Sequence, residues 1–332
     1  MTLQDIFPAW AIRFLLAGLF AFGSEIILWT QPFTHSPLEW LVRISGYILI
    51  ATLALDIAQR YRIQDGYDVM VLIAGTAILH SVLINPAISW QKLPDDIITR
   101  IIGSDALVQV ILWGVFIAWL NGKNSRYAMY QLVGAGWLGM FWGFWMRWTP
   151  ELRGTFEAVL LTQMALIAII GFGIPVAIYL LTVIPTARTL EAPDLMLPRL
   201  GWAVALIPII LLFLYQVSTG ALTTTALSVA ILLLTLCWLI LWLRRNDENE
   251  PLLEGYLPMT PQNPVWIGLM VVMFTAVFFT AYTLPLIEDA AIFNQLWLME
   301  FGSFAVGILW LPFVSVVIAS RSIDRIMRQG DL

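Results

Sequence analysis

The sequence predicts an all-α fold, a polytopic transmembrane helical bundle of about ten spans with both termini cytoplasmic. Three observations carry that prediction. Hydrophobic residues make up 60% of the 332 residues and charged residues only 12%, with a mean hydropathy of +0.84. Apolar stretches recur at about the 20-residue length that crosses the hydrocarbon at 1.5 Å per residue. The 17 Lys and Arg residues are spread unevenly over alternate loops. A water-soluble chain of this size could not bury so much apolar surface without leaving large patches in water. Barrel strands are excluded by the same stretches, since those strands are about ten residues long and alternate apolar with polar.

The expected spans, in order, are 11–30, 40–59, 67–86, 103–120, 127–147, 157–184, 201–217, 222–243, 265–286 and 292–319. Residues 1–8 lack the positive region, short apolar core and small-residue cleavage site of a signal peptide, so the first stretch reads as a retained span. Pro208 interrupts the seventh, which a transmembrane helix tolerates when neighbours satisfy the freed carbonyl. The sixth and tenth, at 28 residues each, have length to tilt or kink, with Pro175 and Pro312 as kink points.

Alternating the loops gives one side Arg13, Arg60, Arg62, Lys123, Arg126, Arg188, Arg199, Arg244, Arg245, Arg321, Arg325 and Arg328. The other side receives Arg43, Lys92, Arg100, Arg147 and Arg153. Basic residues collect in short cytoplasmic loops, so this split sets the orientation and points to a plasma membrane, read as a prokaryotic inner membrane. An odd number of spans would break the agreement. The whole chain, 1–332, forms one integral membrane domain. Its longest cytoplasmic loop is 244–264, whose acids, prolines and glycine predict irregular structure. The extracytoplasmic loop 87–102 carries Pro94, Asp95 and Asp96 ahead of several isoleucines, which fits either an interfacial helix or an extension of the fourth span.

Composition also narrows the chemistry. A net charge of -5 with no basic block argues against nucleic acid. Cys237 alone makes neither an internal disulfide nor a cysteine metal site, and His35 with His80 disfavours several bis-histidine haems. No Walker loop, dinucleotide fingerprint, HExxH or nucleophile elbow is present. No metal site is expected, and the sequence specifies no cofactor.

Ionisable groups at membrane depth are costly and mark function or pairing. In the proposed orientation Glu25, Arg43, His80, Asp105, Arg147, Glu157 and Glu300 share the extracytoplasmic half. Glu25 and Arg43 flank a short hairpin at similar depth, which predicts an ion pair. His80 is the one histidine within a span and suits either proton transfer or buried packing. Glu300, eight residues into its span, is the leading single candidate for proton coupling or ligand binding, with Glu25, His80, Arg43 and Asp105 beside it. Asp56 with Arg60, Arg147 with Glu151 and Arg153 with Glu157 are four apart and read as boundary pairs.

The fifth span is rich in glycine and tryptophan. Gly139 and Gly143, four apart, open a face for a neighbouring helix, while Trp142 and Trp145 read as headgroup anchors, a surface for a membrane protein partner, or a cover for an apolar ligand such as quinone or pigment. In the sixth span Gly171, Gly173 and Pro175 mark either a broken helix around a solute or an ordinary kink. Thr224 and Ser228 share a face that lines a polar path or bonds locally.

Three functional readings follow. The first is a secondary transporter, proton-coupled through Glu300 or Glu25, whose ten spans divide five and five as an inverted repeat requires. The second is a non-catalytic subunit that packs partners or an apolar cofactor within a larger membrane complex. The third is a membrane enzyme acting on a lipid-linked substrate at the extracytoplasmic face, with His80 as base and Arg43 or Arg147 as headgroup contact.

Overall fold

The computed structural model describes residues 3–28, 35–122, 125–148, 160–244, 250–284 and 320. They are helical, with no strand among the described residues, and eight segments are long and apolar enough to cross a membrane. Helix α1 is Leu3–Ala21 and runs on as a π-helix, Phe22–Ile27. Helix α2 is Pro37–Arg60 and α3 is Gly66–Leu83. A second π-helix, Ile97–Asp105, continues into α4, Ala106–Leu120. Helix α5 is Ser125–Trp148, and α6, Leu160–Ile178, ends in a third π segment, Tyr179–Val183. Then come α7, Arg199–Ser218, α8, Thr224–Arg244, and α9, Pro264–Thr283. The tenth expected span, 292–319, lies outside the described residues.

Local sequence sets several helix starts. Ser36 accepts from Glu39 N while the Glu39 carboxylate accepts from Ser36 N, a reciprocal cap ahead of Pro37 that satisfies two otherwise orphaned amides at the start of α2. Asp65 accepts from Tyr67 N and Asp68 N to start α3, and Asn263 accepts from Val265 N to start α9. Gly220, at φ +72°, turns the chain between α7 and α8 where a side chain would be strained.

Helices differ sharply in how much protein surrounds them. In the span that contains α1, 78% of residues are buried, against 17% for that of α7 and 22% for α8. Helix α1 is therefore the core, packed by α2, α4 and α6 through Ile12, Leu15, Leu16, Leu19 and Phe20. Helix α8 lies on α3, and α7 lies on α2 and α3, with Leu200, Ile207, Leu211 and Leu243 facing outward as lipid-facing side chains do. Helix α9 runs along α5, where an added Cβ at Gly139 would stand 2.3 Å from the Phe274 carbonyl and one at Gly143 2.7 Å from that of Phe278. Only glycine permits that approach, so the two glycines pack a helix of the same chain.

Two connections are more ordered than their composition predicts. Residues 250–263 fold back over one end of the bundle: Leu252 N donates to Ile63 O, and Gly122 N and Thr260 N exchange bonds with Thr260 O and Leu120 O. Leu253, Leu257 and Met259 are buried there, so the expected irregular loop is a packed cap. Residues 187–198 bury Leu190, Leu195 and Leu197 in the same way. The Pro94–Asp96 region leads into the second π-helix, which is continuous with α4 and gives one span, Ile97–Leu120.

Candidate functional site

Four residues from distant parts of the sequence meet at the end of the bundle formed by the close of α1 and α3 and the start of α2 and α4. Glu25 lies in the first π-helix, Arg43 two turns into α2, His80 near the end of α3, and Asp105 at the end of the second π-helix. Arg43 Nη1 lies 2.8 Å from Glu25 Oε1 and 2.6 Å from Asn85 Oδ1. The Tyr47 hydroxyl donates to Glu25 Oε1 at 2.7 Å and stands 3.1 Å from His80 Nε2. His80 Nδ1 lies 3.4 Å from Asp105 Oδ2. His35 Nε2 lies 3.8 Å from the other Glu25 oxygen, its ring set edge-on to Trp40. Glu25, Tyr47 and His80 are each at most 2% exposed.

Both carboxylates sit on π-helical backbone. A π turn carries one extra residue per bulge, rotates the side chains beyond it and recurs at functional sites. Gly23 shows how the first is accommodated, since a Cβ there would meet Leu112 Cδ1 at 2.4 Å and Val108 Cγ1 at 2.8 Å. That close approach of α4 sets Glu25 beside the polar end of its neighbours.

The hydrogen bonds assign the tautomer of His80. Arg43 has only donors, so the Asn85 atom it meets is oxygen, and the Asn85 nitrogen then faces His80 Nε2 at 3.3 Å. Nε2 thus meets the Asn85 amide N–H and acts as its acceptor. The ring proton belongs on Nδ1, whose approach to Asp105 at 3.4 Å falls outside hydrogen-bond geometry. Tyr47 has one proton for two acceptors, Glu25 Oε1 and His80 Nε2. The result is a run of proton-carrying groups, Asp105, His80, Tyr47 and Glu25, whose middle member can bond in either direction.

The ion pair of Glu25 and Arg43 is in place, and His80 and Asp105 join it. Tyr47, Asn85 and His35 complete the cluster without having been singled out in the sequence. Tyr47 carried a signal, because it follows Arg43 by four residues and so shares its helix face. Glu300 and the pairs Arg147–Glu151 and Arg153–Glu157 fall on residues, or side chains, outside those described.

The other candidates lie elsewhere. Gly171, Gly173 and Pro175 are within α6, which continues unbroken to Ile178; the irregular backbone comes one turn later, at Tyr179–Val183. Gly171 packs on Ile26, since an added Cβ would be 2.8 Å from that side chain, whereas Gly173 borders open space. In the π segment Tyr179 donates to Trp119 O and accepts from Gln262 N, both at 2.8 Å. Trp142 is fully buried, 4.4 Å from Phe278 by ring centroids and stacked on Phe274 at 6.0 Å, so it is a core ring and not a headgroup anchor. The Trp145 side chain is outside those described. Ser228 donates to Thr224 O at 2.9 Å, a local bond within α8.

A second polar cluster lies at the opposite end of the bundle. Asp56, fully buried, accepts from Arg60 Nε and Nη2 at 2.9 Å each, from Leu197 N at 2.6 Å and from Trp202 Nε1 at 3.1 Å. Close by, Arg13 donates to Leu195 O, and Arg244 pairs with Asp65 and Asp68. No group of three metal-ligating side chains occurs among the described residues. No protein-family model, curated protein or solved structure matches the chain.

Proposed function

We propose that this protein is a proton-coupled secondary transporter of ten spans, with both termini cytoplasmic in a plasma membrane, and that Glu25, Tyr47, His80 and Asp105 are its coupling element. One observation supports the reading above the others: four groups able to hold or pass a proton follow one another within 3.4 Å, buried at a membrane end. Buried ionisable chains of this kind suit proton relays in pumps and transporters. Imidazole carries a proton-donating and a proton-accepting nitrogen on opposite sides of one ring. A proton held on Glu25 passes to the Tyr47 oxygen as the Tyr47 hydroxyl proton passes to His80 Nε2, and His80 then releases its Nδ1 proton to Asp105, so that one proton moves from one carboxylate to the other. Arg43 offsets the charge of Glu25 and, through Asn85, reports that charge to His80. The solute is a small molecule whose binding changes the balance along this run.

Proteoliposomes loaded with a pH-reporting dye test the proposal. Panels of amino acids, sugars, organic acids and organic cations are added under an imposed pH gradient. The expected result is that one class drives proton movement, and that Glu25→Gln and Tyr47→Phe abolish it while the variants remain folded. Absence of solute-dependent proton movement across all panels, or full movement in both variants, would overturn the reading. Fixed stoichiometric partners on purification would favour a subunit of a larger complex, for which the broad apolar faces of α7 and α8 offer surface. Orientation is tested in a Cys237→Ser background with Gln91→Cys or Gly255→Cys. An impermeant thiol reagent added to intact cells should label the first and spare the second.

A further inference from the structure

A cavity of about 350 Å³ opens between α4 and α5, near the end of the bundle capped by residues 250–263. Its walls are Ile111, Val115 and Ala118 from α4 and Gly134 from α5, with Tyr256 of the cap at one edge. That volume falls within the range of small-molecule sites. Two glycines make the space: among the described residues, an added Cβ at Gly114 or at Gly134 would meet nothing within 4 Å. Elsewhere on α5, Gly139 and Gly143 are filled by the backbone of α9, so the emptiness beside Gly134 is particular to this stretch.

One polar side chain is buried at the wall. Gln131 is 6% exposed, and among the described residues neither its amide nitrogen nor its amide oxygen has a hydrogen-bond partner. Buried carboxamides are almost always paired, because desolvation without compensation is costly and there is no bulk water in the hydrocarbon to relieve it. A carboxamide with both ends free presents a donor and an acceptor to whatever enters. None of the described residues lining the cavity is charged, which disfavours phospholipid headgroups and organic anions. The tyrosine rings of Tyr130 and Tyr256 provide flat walls.

We propose that this cavity binds a neutral, lipid-soluble ring compound of the quinone or quinol class, with its ring between α4 and α5 and a carbonyl or hydroxyl oxygen hydrogen-bonded to Gln131. The carboxamide suits both forms, donating to a quinone carbonyl and accepting from a quinol hydroxyl. The cavity shares no lining residue with the Glu25 cluster and opens along the part of α4 beyond Asp105, and the proposal stands independently of the transport reading.

The full-length protein in lipid nanodiscs, titrated with a short-chain ubiquinone and with its quinol, provides the test. Quenching of tryptophan fluorescence and the shift in thermal unfolding midpoint report binding, with protein-free nanodiscs as partitioning control. Saturable binding is expected in the wild type. Gln131→Leu keeps the volume and removes the hydrogen bonds, and should weaken binding about tenfold. Gly134→Leu fills the cavity without a backbone clash and should abolish binding while circular dichroism stays unchanged. Decanol, which fills apolar space without a ring, should compete poorly. Signals no greater than partitioning, equal competition by decanol, or wild-type binding in both variants would each overturn the proposal.

Discussion

The two polar clusters are built from similar residue types and satisfied in opposite ways. At one end Asp56 has four donors for its two oxygens, and two of its three donor residues, Leu197 and Trp202, come from a connection and a helix over a hundred residues away. Its partners are an arginine, a backbone amide and an indole, none of which changes protonation in the physiological range. Such a carboxylate is saturated and static, and it holds residues 195–202 against α2. At the other end Glu25, Tyr47 and His80 follow one another at hydrogen-bond distance and Asp105 lies 3.4 Å from His80, and the hydroxyl and imidazole in the middle can each serve as donor or acceptor. The contrast teaches that depth in the membrane does not by itself mark a functional charge. What distinguishes the two is whether the partners can reverse donor and acceptor roles.

Matched substitutions can break or sharpen that distinction. The largest effect on stability is expected from Asp56→Ala, which leaves Arg60 and the Leu197 amide without their acceptor. Loss of about 2–4 kcal/mol, from leaving the Leu197 amide and the Trp202 indole unpaired while the partly exposed Arg60 turns to solvent, should appear as a lowered unfolding midpoint in detergent. Should Asp56→Ala unfold no more easily than wild type, the clamp has no structural weight. Glu25→Gln keeps size and hydrogen bonding but leaves Arg43 uncompensated, at a cost of about 1–3 kcal/mol. Its expected signature is complete loss of solute-driven proton movement in vesicles, which no substitution at Asp56 that still folds should reproduce.

The smallest effects are the most discriminating. Tyr47→Phe and Trp202→Phe each remove one donor to a buried carboxylate, and each should cost about 0.5–1.5 kcal/mol. Vesicle assays should then separate them, with Tyr47→Phe losing proton coupling and Trp202→Phe keeping it. If both retain coupling, the Tyr47 bridge is ordinary packing and the two clusters are equivalent.

Much of the fold was legible because transmembrane length and hydropathy are local properties. Most ends of the helices from α2 to α9 fall within about three residues of the expected spans, but the fourth span begins six residues early at Ile97 and α6 gives way to a π segment at Tyr179, while Pro175 and Pro208 lie within continuous helix. The hairpin between the first two spans already implied the pair of Glu25 and Arg43. Trp142 was misplaced because a tryptophan near a span end looks the same whether it meets headgroups or a neighbouring helix. Its burial is decided by α9, which Gly139 and Gly143 bring against the same face of α5. The cap formed by residues 250–263 was hidden for a related reason, since acids and prolines predict irregular backbone but not whether that backbone is packed.

The sequence by itself determined that this chain is helical and apolar enough for lipid, and it singled out the internal charges, because burying charge in hydrocarbon is expensive wherever it occurs. Only tertiary structure decided which charges meet fixed donors and which gather around Tyr47 and His80. That choice depends on two π turns, on Gly23 letting α4 approach, and on Asn85 and Tyr47 bridging three helices. Each is a matter of a few tenths of a nanometre between residues far apart in the chain, a distance that composition and periodicity do not encode.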